Sequence, residues 1–412
     1  MNAAYRKSRF NRRRFLRGVG ALAAGAMLPD VLFANTGLSA RLVVIILRGA
    51  LDGLAAVPPF GDPDYAPLHR ELAIAAPGTD GGALDLDGHF GLHPALEFLH
   101  ERYRAKELVV LHAVASPYRD RSHFDGQAVL ESGLTHVSGS ADGWLNRALA
   151  VLPRRTAGTG SERALALSQN VPLILRGNQA VLSKSPQHTA GIDEDLLARL
   201  SDLYSKDDWF SARLSQAAQS EKLDQSDAPR PMQTSAQKAS NARIQQSAQM
   251  AAAIMAADGG PEIAVLEASG WDTHANQGAA RGTLANRLAG LDFSLRTFAQ
   301  GLGPLWRHTV VMVVTEFGRT AAMNGTRGTD HGTAGCGFVV GGAVAGGWVA
   351  TDWPGLATAD LFQERDLKPT QDLRGVFKAV LADHLNIDGA NLQRSVFPDS
   401  AQIKALSGLI RT

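Results

Sequence analysis

The stretch Thr309-Val310-Val311-Met312-Val313-Val314-Thr315-Glu316-Phe317-Gly318-Arg319-Thr320, followed by Gly328-Thr329-Asp330-His331-Gly332, decides the fold. Val310 to Val314 is a continuous apolar, mostly β-branched run, the pattern of a strand buried on both faces in a mostly parallel sheet covered by helices. In such sheets ligands bind beyond the carboxyl ends of the strands, and Glu316 stands at that end. Gly318 and Gly328 are expected to give the loop backbone angles closed to other residues. Asp330 and His331 end the loop, and a second apolar run, Cys336 to Val340, follows. An oxygen ligand and an imidazole at a strand end suit a divalent metal. A capped turn with a salt-bridged Glu316 is the plainer alternative.

Working outward, the same arrangement recurs. Leu42 to Leu47 reads as a buried strand that ends in Arg48-Gly49-Ala50-Leu51-Asp52-Gly53. Leu108 to His112 reads as another, leading through Arg121-Ser122-His123-Phe124-Asp125 into a helix from about Phe124 to Leu130. Ser122 at that helix start is a plain N-cap or, supported by the orphan amides and the dipole, a nucleophilic oxygen. Arg121 beside it suits an oxyanion site or is a solvated charge. Ile263 to Glu267 delivers Asp272 and His274, which share one side of an extended segment and could serve one metal. His89 and His93 read as local hydrogen-bonding residues at a helix entry. Leu284, Leu288, Leu291, Leu295, Phe298 and Leu302 form a helical stripe facing a core. Gly342 to Trp353 reads as a glycine-rich hairpin region, and Leu373 to Leu385 as a closing helix. From about 153 to 258 the character changes to that of an inserted cap: Ala164 to Leu175 holds apolar runs suited to short paired strands, and Asp193 to Gly260, rich in Ala, Gln, Ser and Lys, reads as exposed helices.

Asn11-Arg12-Arg13-Arg14-Phe15-Leu16-Arg17 before the short apolar segment Val19 to Leu28 is a twin-arginine export pattern. It predicts a signal peptide over residues 1–34, cleaved after Ala34 or Ala40, an export partner in the twin-arginine translocase, and a periplasmic or envelope-associated protein. Residues 1–34 carry seven Lys/Arg and one Asp, so the rest holds 34 basic and 39 acidic side chains, a formal charge of −5. That balance offers nucleic acid little attraction. The single cysteine, Cys336, excludes an internal disulfide. No phosphate-binding or dinucleotide-binding glycine loop competes with the strand-end set Asp52, Asp272, His274, Glu316, Asp330 and His331. Gathered at one edge these carboxylates would repel one another without a cation, so a metal site is expected. Mixed oxygen and nitrogen ligands favour zinc or manganese, while a site at Glu316 without an imidazole would accept calcium or magnesium.

The twin-arginine start and the motifs Leu47-Arg48-Gly49-Ala50-Leu51-Asp52-Gly53, Arg121-Ser122-His123-Phe124-Asp125, Gly270-Trp271-Asp272-Thr273-His274, Thr315-Glu316-Phe317-Gly318-Arg319 and Gly328 to Gly332 resemble the exported bacterial family called domain of unknown function 1501. The resemblance runs from about residue 40 to 398. That family is in turn similar to the alkaline phosphatase and sulfatase superfamily. The resemblance implies an α/β three-layer sandwich over residues 35–412 and a metal-dependent hydrolase of small phosphate or sulfate esters. It implies Asp52 as a bridging ligand, Asp272, His274 and His331 on one metal, Glu316 on a second, Ser122 as nucleophile, and Arg121 or Arg319 balancing charge. Two departures stand out: Glu316-Phe317 replaces the usual Asp-His, and Asp272 and His274 lie closer together than usual. A non-catalytic exported metal-binding protein is the alternative those departures suggest. The oligomeric state is left open.

Overall fold

Period-two alternation with apolar residues on both faces builds the centre of the molecule. Along β1 (Arg41–Arg48), Val43, Ile45 and Leu47 enter one apolar cluster while Leu42, Val44 and Ile46 enter the opposite one. The computed structural model describes residues 40–153, 162–168, 170–185 and 236–411; the expected signal over 1–34 lies outside them. The further strands are β2 (Leu84–Asp85), β3 (Gly91–Leu92), β4 (Leu108–Ala115), β5 (Ala164–Leu167), β6 (Leu182–Lys184), β7 (Ile263–Ser269), β8 (Thr309–Thr315), β9 (Gly335–Val340), β10 (Trp348–Ala350) and β11 (Gln371–Asp372). A nine-stranded sheet runs β10-β4-β9-β8-β1-β7-β5-β6, with β11 beside β4. Every pair in it is parallel except those of β9 with β4 and β8. The fold is therefore α/β with a mixed, mostly parallel sheet.

The helices that matter are α1 (Gly53–Ala56), α2 (Tyr65–His69), α3 (Glu97–Arg104), α4 (His123–Ser132), α5 (Trp144–Val151), α6 (Ala236–Ala256), α7 (Thr283–Leu302) and α8 (Leu373–Asp383). Helices α3, α6 and α7 cover one face of the sheet, and α5 and α8 cover the other. The apolar stripe predicted on α7 is buried as expected.

Two stretches differ from the sequence reading. Trp348–Ala350 does not fold back as a hairpin but pairs parallel to β4. Within the stretch of about 153–258 expected as a cap, β5 and β6 extend the main sheet and α6 packs along α7 and β7. The cap expectation narrows to residues 186–235, which lie outside the described residues. Among the described residues no helix is long and apolar enough to cross a membrane.

Register places the functional loops. Arg48 pairs with Ser269 and Leu47 with Thr315, so the loops after β1, β7 and β8 leave the sheet side by side. Because β9 runs antiparallel to β8, its start lies at this same edge and brings in Asp330 and His331. Gly318 and Gly328 serve close approach rather than unusual angles. A side chain at Gly318 would collide with the Ala334 carbonyl, and one at Gly328 with the backbone of His274; neither has a positive φ.

Candidate metal centre

Three imidazoles meet at this edge around one carboxylate. His274, in the loop after β7, places Nε2 2.9 Å from Asp272 Oδ1, and His331 places its own Nε2 3.1 Å from that oxygen. The two Nε2 atoms are 3.0 Å apart. His123, the first residue of α4, brings Nε2 to 3.4 Å from Asp272 Oδ2, and this buried nitrogen has no hydrogen-bond partner. Each ring is held from behind through Nδ1: His123 by Glu316 Oε1 at 2.8 Å, His274 by Asp330 Oδ1 at 3.1 Å, and His331 by the Arg121 carbonyl at 3.0 Å.

That pattern is what metal ligation requires. An acceptor on Nδ1 fixes the tautomer that leaves the Nε2 lone pair free for a cation. Ligand atoms about 2.0–2.2 Å from one ion lie roughly 2.9–3.5 Å from each other, which matches the spacings found here. Potential ligand atoms of His123, Asp272 and His331 all lie within 4.8 Å of one another; His274 falls outside that trio and meets it through Asp272 and His331. Without an ion, two of these nitrogens would share one carboxylate oxygen and the third would be an orphan. The residues fit a divalent metal.

Electrostatics point the same way. Burial pushes the Asp272 carboxyl up, but the hydrogen bond and charge of Arg319 outweigh it and keep the group ionised. Burial likewise raises Glu316, and hydrogen bonds from His123, Gln127 and the Gly49 N–H bring it below the usual carboxylate range. Asp330 is lowered by Asn324 first and His274 next. The Glu316 hydrogen bond raises His123, while burial and the nearby charge of His123 lower His331.

The sequence-derived candidates therefore separate. Asp272, His274 and His331 are brought together. Glu316 and Asp330 orient imidazoles instead of facing the centre themselves. Asp52 is drawn into another network: its oxygens accept from the Ala55 N–H at 3.1 Å, Gln277 Nε2 at 2.8 Å and Thr329 Oγ1 at 3.3 Å. Arg121 and Arg319 are both paired within the chain. Arg121 pairs with buried Asp366, 2.7 Å from Nη2, and Arg319 is buried against Asp272 and the Thr329 carbonyl. Ser122 is the N-cap of α4, and its hydroxyl makes no capping hydrogen bond. His93 accepts locally from the Ala95 N–H, but its Nε2 also reaches the carbonyl of Ala279 in the loop after β7, a contact the local reading did not include.

The sequence reading assigns His123 no role. Its signals were its place directly after Ser122 and the missing imidazole at Phe317. The structure brings the two together: the His123 ring stacks on Phe317, with ring centroids 5.1 Å apart.

A family model described as "Protein of unknown function (DUF1501)" matches residues 109–396, a span that holds His123, Asp272, His274 and His331. The chain belongs to the DUF1501 family. No curated protein matches this DUF1501 chain. Among solved structures it is similar to a sulfatase from Pseudoalteromonas sp., at 10% identity over 98% of this chain and 78% of that one, with a TM-score of 0.41. It is also similar to a protein of the alkaline phosphatase superfamily from Vibrio parahaemolyticus, at 11% identity over 81% and 69%, with a TM-score of 0.36. A 2-O GAG sulfatase matches at 10% identity over 74% of this DUF1501 chain, which spans 64% of that enzyme's length, with a TM-score of 0.37. No site assignment rests on these similarities.

Proposed function

We propose that the protein is an exported, metal-dependent hydrolase of small phosphate or sulfate esters. One observation carries the reading: three imidazoles, each anchored through Nδ1, aim Nε2 at Asp272 beside a serine whose hydroxyl is left out of the helix cap. His123, Asp272, His274 and His331 would hold a divalent ion, with zinc or manganese suited to these ligands. Such an ion supplies Lewis acidity toward an anionic ester. Ser122 provides the attacking oxygen: its Oγ bonds to phosphorus or sulfur as the bond to the alcohol oxygen breaks, the hydroxyl proton passing to that departing oxygen; water then attacks the phosphorus or sulfur, the bond to Oγ breaks, and a water proton restores the hydroxyl. Arg319 and Arg121 act by position, one holding Asp272 and the other presenting the carbonyl that orients His331.

The test is turnover of aryl phosphates, phosphodiesters and aryl sulfates by metal-reconstituted protein. Ser122→Ala is expected to lower the rate about a thousandfold or more. Undiminished turnover in that variant, or none in the wild type with any divalent metal, rejects this mechanism.

The internal pairing of both arginines favours a second reading, an exported protein that keeps the metal for stability and acts in binding or assembly at the cell envelope. It predicts that chelation lowers the melting temperature while no ester is turned over. Export itself is tested by fractionation: replacing Arg12, Arg13 and Arg14 with Lys should leave the precursor in the cytoplasm, and unchanged processing would argue against the twin-arginine route.

A further inference from the structure

Gly270 and Trp271, directly before Asp272, take no part in the metal centre and border a cavity of their own. Gly270 leaves β7 with φ +96°, in the left-handed region, and a side chain there would collide with the guanidinium of Arg287 on α7. Glycine thus lets Arg287 lie against the loop, where its Nη1 donates to the Ser269 carbonyl at 3.2 Å. Trp271 follows, 3% exposed, with its backbone N–H on the Arg48 carbonyl at 3.2 Å.

Two donors here lack an acceptor. Trp271 Nε1 and Arg287 Nε are both buried without a hydrogen-bond partner, and an unmet buried donor is destabilising. Both residues line a cavity of about 10 Å³, together with Asn241 and Ile244 of α6 and Leu291 of α7. Asn241 Nδ2 is spent on the Asn286 carbonyl at 2.8 Å. No lining residue is a carboxylate. Burial lowers the pKa of Arg287 and no acidic neighbour opposes it, so the guanidinium stands without a counter-charge.

Size and charge select the occupant. The volume has room for one body of about water's size, which excludes phosphate, sulfate and carboxylates. A water would accept from both N–H groups but leave the guanidinium uncompensated. A monatomic anion accepts from both donors and neutralises the cation as well. We propose that this cavity is a halide site, with chloride held between Trp271 Nε1 and Arg287 Nε. The ion ties α7 to the loop that carries Asp272 and His274, and its binding is independent of the metal-site reading.

Crystals of the full chain grown without halide and soaked in bromide, with diffraction measured at the bromine edge, locate the ion. One peak within hydrogen-bonding reach of both Trp271 Nε1 and Arg287 Nε is expected; a water there, or no peak, overturns the proposal. In solution, chelated protein should melt higher in sodium chloride than in sodium gluconate at equal ionic strength, by about 3 °C at ten times the Kd. The increment should saturate and should be kept with bromide. Trp271→Phe and Arg287→Gln each remove one donor and should lose the increment, whatever their own melting temperatures; if one does not fold, the other and the wild-type crystals carry the test. A bromide peak without a saturable increment that these variants abolish marks binding at crystal concentration only and overturns the proposal.

Discussion

Asp272→Asn isolates the charge at the centre of the site while keeping its volume and one acceptor oxygen. In the structure Asp272 is the partner of buried Arg319 and lies against all three imidazoles. Removing its charge leaves a guanidinium with 0% side-chain exposure without its ion-pair partner, a loss that reaches about 3–5 kcal/mol for a fully enclosed pair. Asp272 itself is 38% exposed and the asparagine oxygen can still accept from Arg319, so water and the remaining hydrogen bond reduce the figure to about 1–2 kcal/mol. At roughly 2 °C per kcal/mol for a chain of this size, the metal-free variant should melt about 2–4 °C below the wild type. The metal-dependent part is separate. An ion present at a hundred times its Kd stabilises the folded state by about 2.7 kcal/mol, roughly 5 °C, and the variant should lose most of that increment. Differential scanning calorimetry of both proteins after chelation, then with zinc or manganese added, reads the two effects independently. A variant that melts as the wild type does and gains the same increment on adding metal would refute the assignment of Asp272.

Phe317→Ala removes the ring stacked on His123 and is expected to cost about 3–5 kcal/mol in stability and to weaken metal binding; calorimetric titration showing wild-type affinity would deny Phe317 its positioning role. The Asp52–His69 pair predicts a pH window. Burial raises Asp52, but the charge of His69, whose buried Nε2 lies 3.5 Å from Asp52 Oδ2, and the hydrogen bonds from Gln277 and the Ala55 N–H bring it down to about 2, so its contribution is full above the ordinary carboxylate range and is lost as the pH falls toward 2. His69 moves the opposite way: burial lowers it, Asp52 raises it further, and its contribution is full below about pH 6.5 and lost as the pH rises through the elevated value. The difference in urea stability between wild type and the Asp52→Asn/His69→Gln double variant should therefore be largest between about pH 4 and 6.5, and a flat difference from pH 3 to 9 would contradict the pairing. Metal uptake should fall on acidification, because the ligating imidazoles must be free of protons at Nε2; affinity unchanged between pH 7.5 and 5.5 would point to carboxylate-only ligation.

The strands were legible where burial on both faces leaves a continuous apolar run, as in Leu42 to Leu47 and Val310 to Val314. Trp348–Ala350 was not, because three residues among glycines carry no period and only its pairing with β4 makes it a strand. Ala164–Leu167 suggested a short strand but not its place in the main sheet, since membership depends on β7, about a hundred residues later in the chain. At the site, Asp272, His274 and His331 could be read because they directly flank strands. His123 was hidden by its place in the first turn of a helix, where a histidine has no distinctive neighbours in sequence. The division of labour among carboxylates was also beyond sequence. Glu316 and Asp330 become orienting acceptors, and Asp52 a counter-ion, only through side chains that arrive from distant segments. His69 offered no signal at all, lying in a short helix without a motif.

The measurement that bears most directly on the metal centre is anomalous diffraction at the metal edge from crystals of protein loaded with zinc or manganese. One strong peak per chain is expected, about 2.0–2.2 Å from Nε2 of His123, His274 and His331 and from an Asp272 oxygen, with nothing comparable between Asp52 and Glu316. No peak among these four residues, or a strong one bound by Asp52 and Glu316, would contradict it.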